Sequence, residues 1–189
     1  ALVDVLISDG RYDMAIAQLT RLVKTAEPAE SASLQRRIGY LEIERGQPEQ
    51  ALAIFEALQR ENPKDWQPAS DVAFAQQAAG NWFAALESWL TAYRLAPVDA
   101  KRSLVQSILG ATARLQQYAR ALDFLSAACD AERNADSRAE LSRVAAAYSS
   151  DHQLTDAWLE ILQDKIARSD DVFWKQARSD ALRAAGRIE

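Results

Sequence analysis

The side chains in this sequence with the most obvious chemical potential are His152, Cys129 and the adjacent pair Asp170 and Asp171. A thiol beside an imidazole makes a nucleophile with its base, and further Cys or His partners would hold zinc. Here His152 is the sole histidine and Cys129 the sole cysteine. The histidine falls where the pattern predicts a turn and reads as an exposed loop residue. Cys129, among Leu125, Ala127 and Ala128, reads as a small hydrophobe on the inner side of a helix. Paired carboxylates suit acid–base work, yet Ser-Asp-Asp directly before VFWKQA is the pattern of a helix N-cap. The motifs of phosphate loops, dinucleotide folds, zincins and nucleophile elbows are absent from the sequence. The sequence therefore predicts no catalytic residue, no metal and no cofactor, and places function in the surface.

Composition narrows what that surface meets. The chain has 189 residues, 49% of them apolar and 26% charged, within the range of folded soluble domains. Its 22 Lys and Arg are scattered among 27 Asp and Glu, for a net charge of −5. Without a basic run, nucleic acid is excluded as the expected partner, since phosphate binding needs concentrated positive charge. No apolar stretch is long enough to span a bilayer, so no membrane insertion by this segment is expected. The sequence starts at Ala1 without Met or a signal-peptide pattern, so a segment of a longer protein is expected. One cysteine forms no internal disulfide and leaves the redox compartment open.

What must position the surface is visible in a repeat. RGQPEQALAIFEALQRENP at 45–63 is answered 34 residues later by AGNWFAALESWLTAYRLAP, with Gly80 for Gly46, Ala85 for Ala51, Trp89 for Phe55 and Pro97 for Pro63. Turns are predicted at Gly10, Gly46, Gly80, Gln116, His152 and Gly186. Five residues after the first five stand Ala15, Ala51, Ala85, Ala121 and Ala157; one helical turn later come Leu19, Phe55, Trp89, Leu125 and Ile161. A small residue followed by a large one on the same face makes an interlocking seam between helices. Apolar periodicity upstream of each turn completes a helical hairpin. Eleven helices are predicted, at roughly 2–9, 12–25, 31–45, 48–61, 66–79, 82–95, 100–114, 118–132, 137–149, 154–168 and 171–185. Asp65, Asp99 and Asp136 are the expected caps, Pro48 sits in a first turn, and Pro63 and Pro97 mark exits.

Gly80, Trp82, Ala85, Trp89, Ala92 and Pro97, with Gly39, Gly46, Ala51, Phe55 and Pro63 before them, resemble the signature of the tetratricopeptide repeat (TPR). The resemblance implies an all-α fold, a right-handed superhelix of about five hairpins with partial terminal repeats. It implies a single array over 1–189, in units of about 1–29, 30–64, 65–99, 100–135, 136–170 and a partial 171–189. The later units depart from the pattern, with Gln116 and His152 in place of glycine and without closing prolines. Only ALVDVLISD precedes Gly10, no capping helix is evident at either end, and the array is expected to continue in the parent protein. Pentatricopeptide arrays share the period, but reading RNA would demand a basic groove.

In TPR proteins the first helix of each hairpin lines a concave groove. The resemblance puts Arg36, Tyr40, Gln67, Ser70, Phe74, Gln77, Gln106 and Arg114 there, together with Ile43, Ser103, Ser142, Phe173 and Gln176. Tyr40 and Phe74 are the expected anchors and the amides the adaptable hydrogen-bonding groups. The Lys, Asn and Arg set with which chaperone-binding TPR domains hold a terminal carboxylate is not reproduced. Trp66, Trp158 and Trp174 read as core filling, whereas Trp82 and Phe83 form a candidate outer patch. The bacterial style, irregular spacing and uncapped ends are similar to the long periplasmic TPR regions of outer-membrane exopolysaccharide exporters of the Pel type. That similarity implies a periplasmic scaffold in biofilm assembly that recruits a polysaccharide-modifying enzyme. A solenoid that binds polysaccharide directly and a cytosolic regulatory adaptor are the alternatives.

Overall fold

The computed structural model describes residues 2–187. Among them are eleven α-helices and no strand: α1 (Leu2–Ser8), α2 (Tyr12–Val23), α3 (Pro28–Glu44), α4 (Pro48–Glu61), α5 (Trp66–Ala78), α6 (Trp82–Leu95), α7 (Val98–Arg114), α8 (Tyr118–Ala131), α9 (Ala135–Asp151), α10 (Thr155–Arg168) and α11 (Val172–Ala184). Three helices begin earlier than predicted, and capping explains each. Pro28 opens α3, where its missing N–H costs nothing. Pro97, in extended backbone, precedes α7, so Asp99 lies inside the first turn and caps nothing. Asn134 caps α9 by accepting from the N–H groups of Asp136 and Ser137, which moves Asp136 into the helix too. Both misplaced aspartates still complement the helix dipole. Asp65 and Asp171 are caps as expected, accepting at 3.0 Å from the N–H of Gln67 and of Phe173.

The turns carry the repeat. Gly10, Gly46, Gly80 and Gly186 all have positive φ, and the residue after each donates its N–H five residues back, as Gln47 does to the carbonyl of Glu42 at 2.8 Å. This closes the odd-numbered helix with a Schellman motif, which needs a left-handed residue. Where glycine is lacking the backbone keeps the same conformation, with φ of 57° at Gln116 and 60° at Gln153. The fifth turn is therefore centred on Gln153, not His152. A one-residue shift follows: Ala157 is exposed and Ile161 half-buried, and the buried pair in α10 is Trp158 and Leu162.

A side chain in left-handed backbone costs about 1–2 kcal/mol, while glycine costs about 0.5–1 kcal/mol in unfolded-chain entropy. Gln116→Gly and Gln153→Gly are each expected to gain about 0.5–1 kcal/mol and, being far apart, to add. Urea denaturation followed by circular dichroism measures this. A midpoint that fails to rise in the double variant contradicts the strain assigned to these turns.

The chain forms two compact units, residues 1–115 and 116–189. The boundary runs through the sequence unit 100–135, between α7 and α8. In the first, α2 packs on α1 and α3, α4 on α3 and α5, and α6 on α5 and α7. Ala15, Ala51 and Ala85 are buried at the close approaches, with Leu19, Phe55 and Trp89 buried one turn on. Gly39 admits the Phe55 ring against α3: a Cβ there would lie 2.4 Å from Phe55 Cε1. In the second unit α9 packs on α8, α10 and α11, around buried Leu125, Trp158, Leu162 and Trp174.

Ion pairs link successive repeats within each unit. Asp4 meets Arg37, Asp13 meets Arg45 and Arg36 meets Asp71; in the second unit Asp130 meets Lys165, Asp171 meets Arg138 and Asp156 meets Arg187. Partners lie 31 to 35 residues apart, about one repeat. Apart from Arg36–Asp71, whose carboxylate is buried, these are exposed pairs that add little stability, but all of them record the register of the repeats within each unit.

Candidate docking face

The groove residues expected on α3 and α5 do not all reach the surface, and the ones that do are held by a residue the sequence did not single out. Arg36 and Tyr40 stand one turn apart on α3. On α5, Gln67 and Phe74 lie two turns apart on one face, with Asp71 between them. Tyr40 is 38% exposed and Phe74 40% exposed, a large exposure for aromatic rings. Each is seated on a buried ring: Phe74 meets Trp89 edge-to-face at 4.6 Å, and Tyr40 lies 5.3 Å from Phe55 and 6.3 Å from Phe74. The seam residues of α4 and α6 thus support the two rings from below.

Asp71 ties the face together. Only 4% exposed, it accepts from Tyr40 Oη at 2.6 Å through one oxygen and from Arg36 Nε at 2.6 Å through the other. Arg36 Nη1 also donates to Gln67 Oε1 at 3.1 Å. Burial pushes the Asp71 carboxyl up, while the Tyr40 hydroxyl and Arg36 pull it back down. Burial, reinforced by the hydrogen bond to Asp71, pushes the Tyr40 phenol up as well, so it remains a donor. A signal for Asp71 did exist, because it is the single charged side chain of α5 and follows Arg36 by about one repeat.

The other expected positions are scattered. Ser70 is buried at 8% exposed and Ser142 is buried with its hydroxyl unpartnered, so neither lines a surface as predicted. An i, i+3 step places them on the core side of their helices, where a small side chain fits. Gln77 and Ile43 are half-buried, and Ser103 and Gln106 stand exposed on α7. Arg114 lies over the Trp82 ring, 5.9 Å from its centre, which leaves Trp82 half-buried and Phe83, at 56% exposed, as the apolar part of the outer patch. In the second unit Phe173 is half-buried beneath Arg138, whose guanidinium is 3.9 Å from the ring centre, and Gln176 bonds Asp180.

The chemical suspects are structural in their surroundings. Cys129 is buried, its thiol pushed up to about 12 by desolvation, and its carbonyl accepts from Arg138 Nε at 2.8 Å. A thiol so protonated is a poor nucleophile. Asp171 caps α11 and bonds Arg138 at 2.5 Å; that bond, with the Phe173 N–H, holds its carboxyl below the usual range. His152 is not the exposed loop residue expected. It is half-buried, 4.7 Å from the Tyr118 ring and 4.4 Å from that of Tyr148, because the C-terminal turn of α9 folds it onto both. Among the described residues no group of three or more His, Cys, Asp or Glu is placed to hold a metal ion, and no helix is long and apolar enough to cross a membrane.

No family model matches the sequence, and no curated protein matches it. Solved structures do match. A tetratricopeptide repeat protein from Parabacteroides merdae superposes with a TM-score of 0.59 at 16% identity, over 98% of this chain and 71% of that one. Two crystal structures of MamA give TM-scores of 0.53 and 0.54 at 13% and 12% identity, covering 99% and 98% of this chain and 92% and 88% of theirs. At such identities the likeness is one of fold. The chain has the TPR fold, all-helical and built of helical hairpins, as the resemblance implied.

Proposed function

We propose that the chain is a non-catalytic TPR scaffold that docks a protein partner, with the α3–α5 face as its contact. The observation that carries this is the pair of exposed rings, Tyr40 and Phe74, fixed from below by buried aromatics and from the side by Asp71. Rings whose rotamers are already fixed lose little entropy on binding, the property that makes aromatic anchors effective at interfaces. Phe83 adds an exposed apolar contact at the start of α6.

The setting proposed is the periplasmic part of a bacterial Pel-type exopolysaccharide export system, its parent anchored in the outer membrane. The residue style and irregular repeat spacing support this by resembling the TPR array of the exporter PelB. The partner is then a polysaccharide deacetylase or hydrolase such as PelA. A second reading, direct contact with polysaccharide, draws on the same observation, since exposed rings beside amides also suit sugar faces. Calorimetric titration of the chain with purified PelA and, separately, with Pel oligosaccharides tests both. Binding of PelA in the micromolar range or tighter, weakened about tenfold or more by Tyr40→Ala with Phe74→Ala, is the expected result for paired hot-spot residues. Heat from the oligosaccharide alone would favour the second reading, and silence from both would remove the export setting.

A further inference from the structure

The cation that a ligand would first meet on this face is already paired within the protein. Arg36 is the cationic side chain of the Tyr40–Phe74 cluster, and its side chain is 29% exposed. Its Nε bonds Asp71 and one terminal nitrogen bonds Gln67. Its remaining N–H groups, those of Nη2 among them, could reach a ligand carboxylate only by sharing one guanidinium with Asp71, whose negative charge already offsets it, and a full transfer of Arg36 to the ligand would leave Asp71 inside the protein as an unpaired charge. Breaking a buried pair costs far more than a partly exposed carboxylate contact returns. Tyr40 cannot substitute as a ligand donor, because its hydroxyl is spent on the same carboxylate. The remaining groups around the rings, Gln67 and Gln77, are uncharged amides. Asp65, exposed at the head of α5, adds only negative potential.

We infer that Asp71 determines which ligands this face accepts: by offsetting Arg36 in an internal pair it leaves the Tyr40–Phe74 cluster without net positive charge, suited to an uncharged protein segment presenting apolar side chains and amides. The inference rests on the docking reading above and adds a ligand class to it. Carboxylates, whether acidic side chains or a chain terminus, are turned away. Converting the acid to its amide should release Arg36 and reverse the preference.

Two probes of matched shape separate these cases: phenylacetamide and phenylacetate, titrated into the whole chain while the Tyr40 and Phe74 ring resonances are followed by NMR. In the wild type the amide is expected to bind at least about threefold more tightly than the carboxylate, the size of an exposed ionic interaction. In Asp71→Asn, which keeps an acceptor for Tyr40, the order should reverse through tighter phenylacetate binding. Equal binding of both probes in the wild type overturns the inference and leaves the docking face standing; that comparison holds even where the variant does not fold. A folded Asp71→Asn with the wild-type ratio also overturns it. If neither probe moves the ring resonances while oligomers of N-acetylglucosamine do, the face takes sugar and both the inference and the protein-docking reading fall.

Discussion

Trp158→Ala is expected to destabilise the second unit by about 3–5 kcal/mol, the usual cost of emptying a buried tryptophan site. The expectation runs against the repeat. In four hairpins the fifth residue after the left-handed turn residue is alanine, at Ala15, Ala51, Ala85 and Ala121, all buried. In α10 that place is taken by Trp158, completely buried. Judged by the pattern alone, alanine would restore the consensus. In the structure it would leave a cavity, because α8, α9, α10 and α11 are already spaced to accommodate an indole, and a packed interior closes such a gap only in part. The indole N–H has no hydrogen-bond partner, so part of the wild-type ring's contribution is spent on a desolvated donor. Trp158→Phe, which removes the donor and keeps most of the volume, should therefore cost less than half as much. Urea unfolding by circular dichroism decides the matter. With a slope of about 1–3 kcal/mol per molar, the alanine variant should lose at least about 1 M in midpoint. A neutral or stabilising alanine would show that the consensus, rather than local packing, governs α10.

Gly39→Val should be the most damaging single substitution in α3, costing about 2–3 kcal/mol through overpacking. Helix propensity alone points the other way, since valine is a better helix former than glycine. The contact decides the sign: a Cβ at position 39 would lie 2.4 Å from Phe55 Cε1 and 2.5 Å from its Cζ. Phe55 is buried and has Tyr40 against it, so the ring has no space in which to retreat. Phe55→Leu makes room. Combined with Gly39→Val it should cost less than the sum of the two single changes, by 1 kcal/mol or more in a double-mutant cycle, as coupled neighbours do. The same displacement would move Tyr40, so Gly39→Val should also weaken whatever binds the α3–α5 face. Additive single effects would mean that the two sites relax independently.

The helical hairpins were legible in the sequence because they rest on local physics. Glycine at a left-handed turn, a small residue five positions later and a large one a turn beyond are short-range requirements, and they recur at one spacing. Helix ends were legible where a cap was the nearest polar group, as at Asp65 and Asp171, and misjudged where proline or asparagine did that work first, at Pro97 and Asn134. The position of the fifth turn depended on which of two neighbouring non-glycine residues adopted positive φ. Local preference leans towards His152, since histidine enters left-handed backbone more readily than glutamine, and packing overrides it by burying Trp158 and Leu162 and stacking His152 on Tyr118 and Tyr148.

The proposed docking face was half legible. Tyr40, Phe74 and Arg36 follow from the TPR pattern, but exposure differs between Gln67 and Ser70, three residues apart on one helix, because a neighbouring helix covers one and not the other. Sequence by itself determined an all-helical repeat of hairpins, since every element of that pattern acts within a few residues along the chain. Tertiary structure alone decided that Asp71 closes on Arg36 and Tyr40. Those partners are about a repeat apart, and only the stacking of α3 beside α5 brings a carboxylate, a guanidinium and a phenol within hydrogen-bonding distance and shuts the carboxylate away from water.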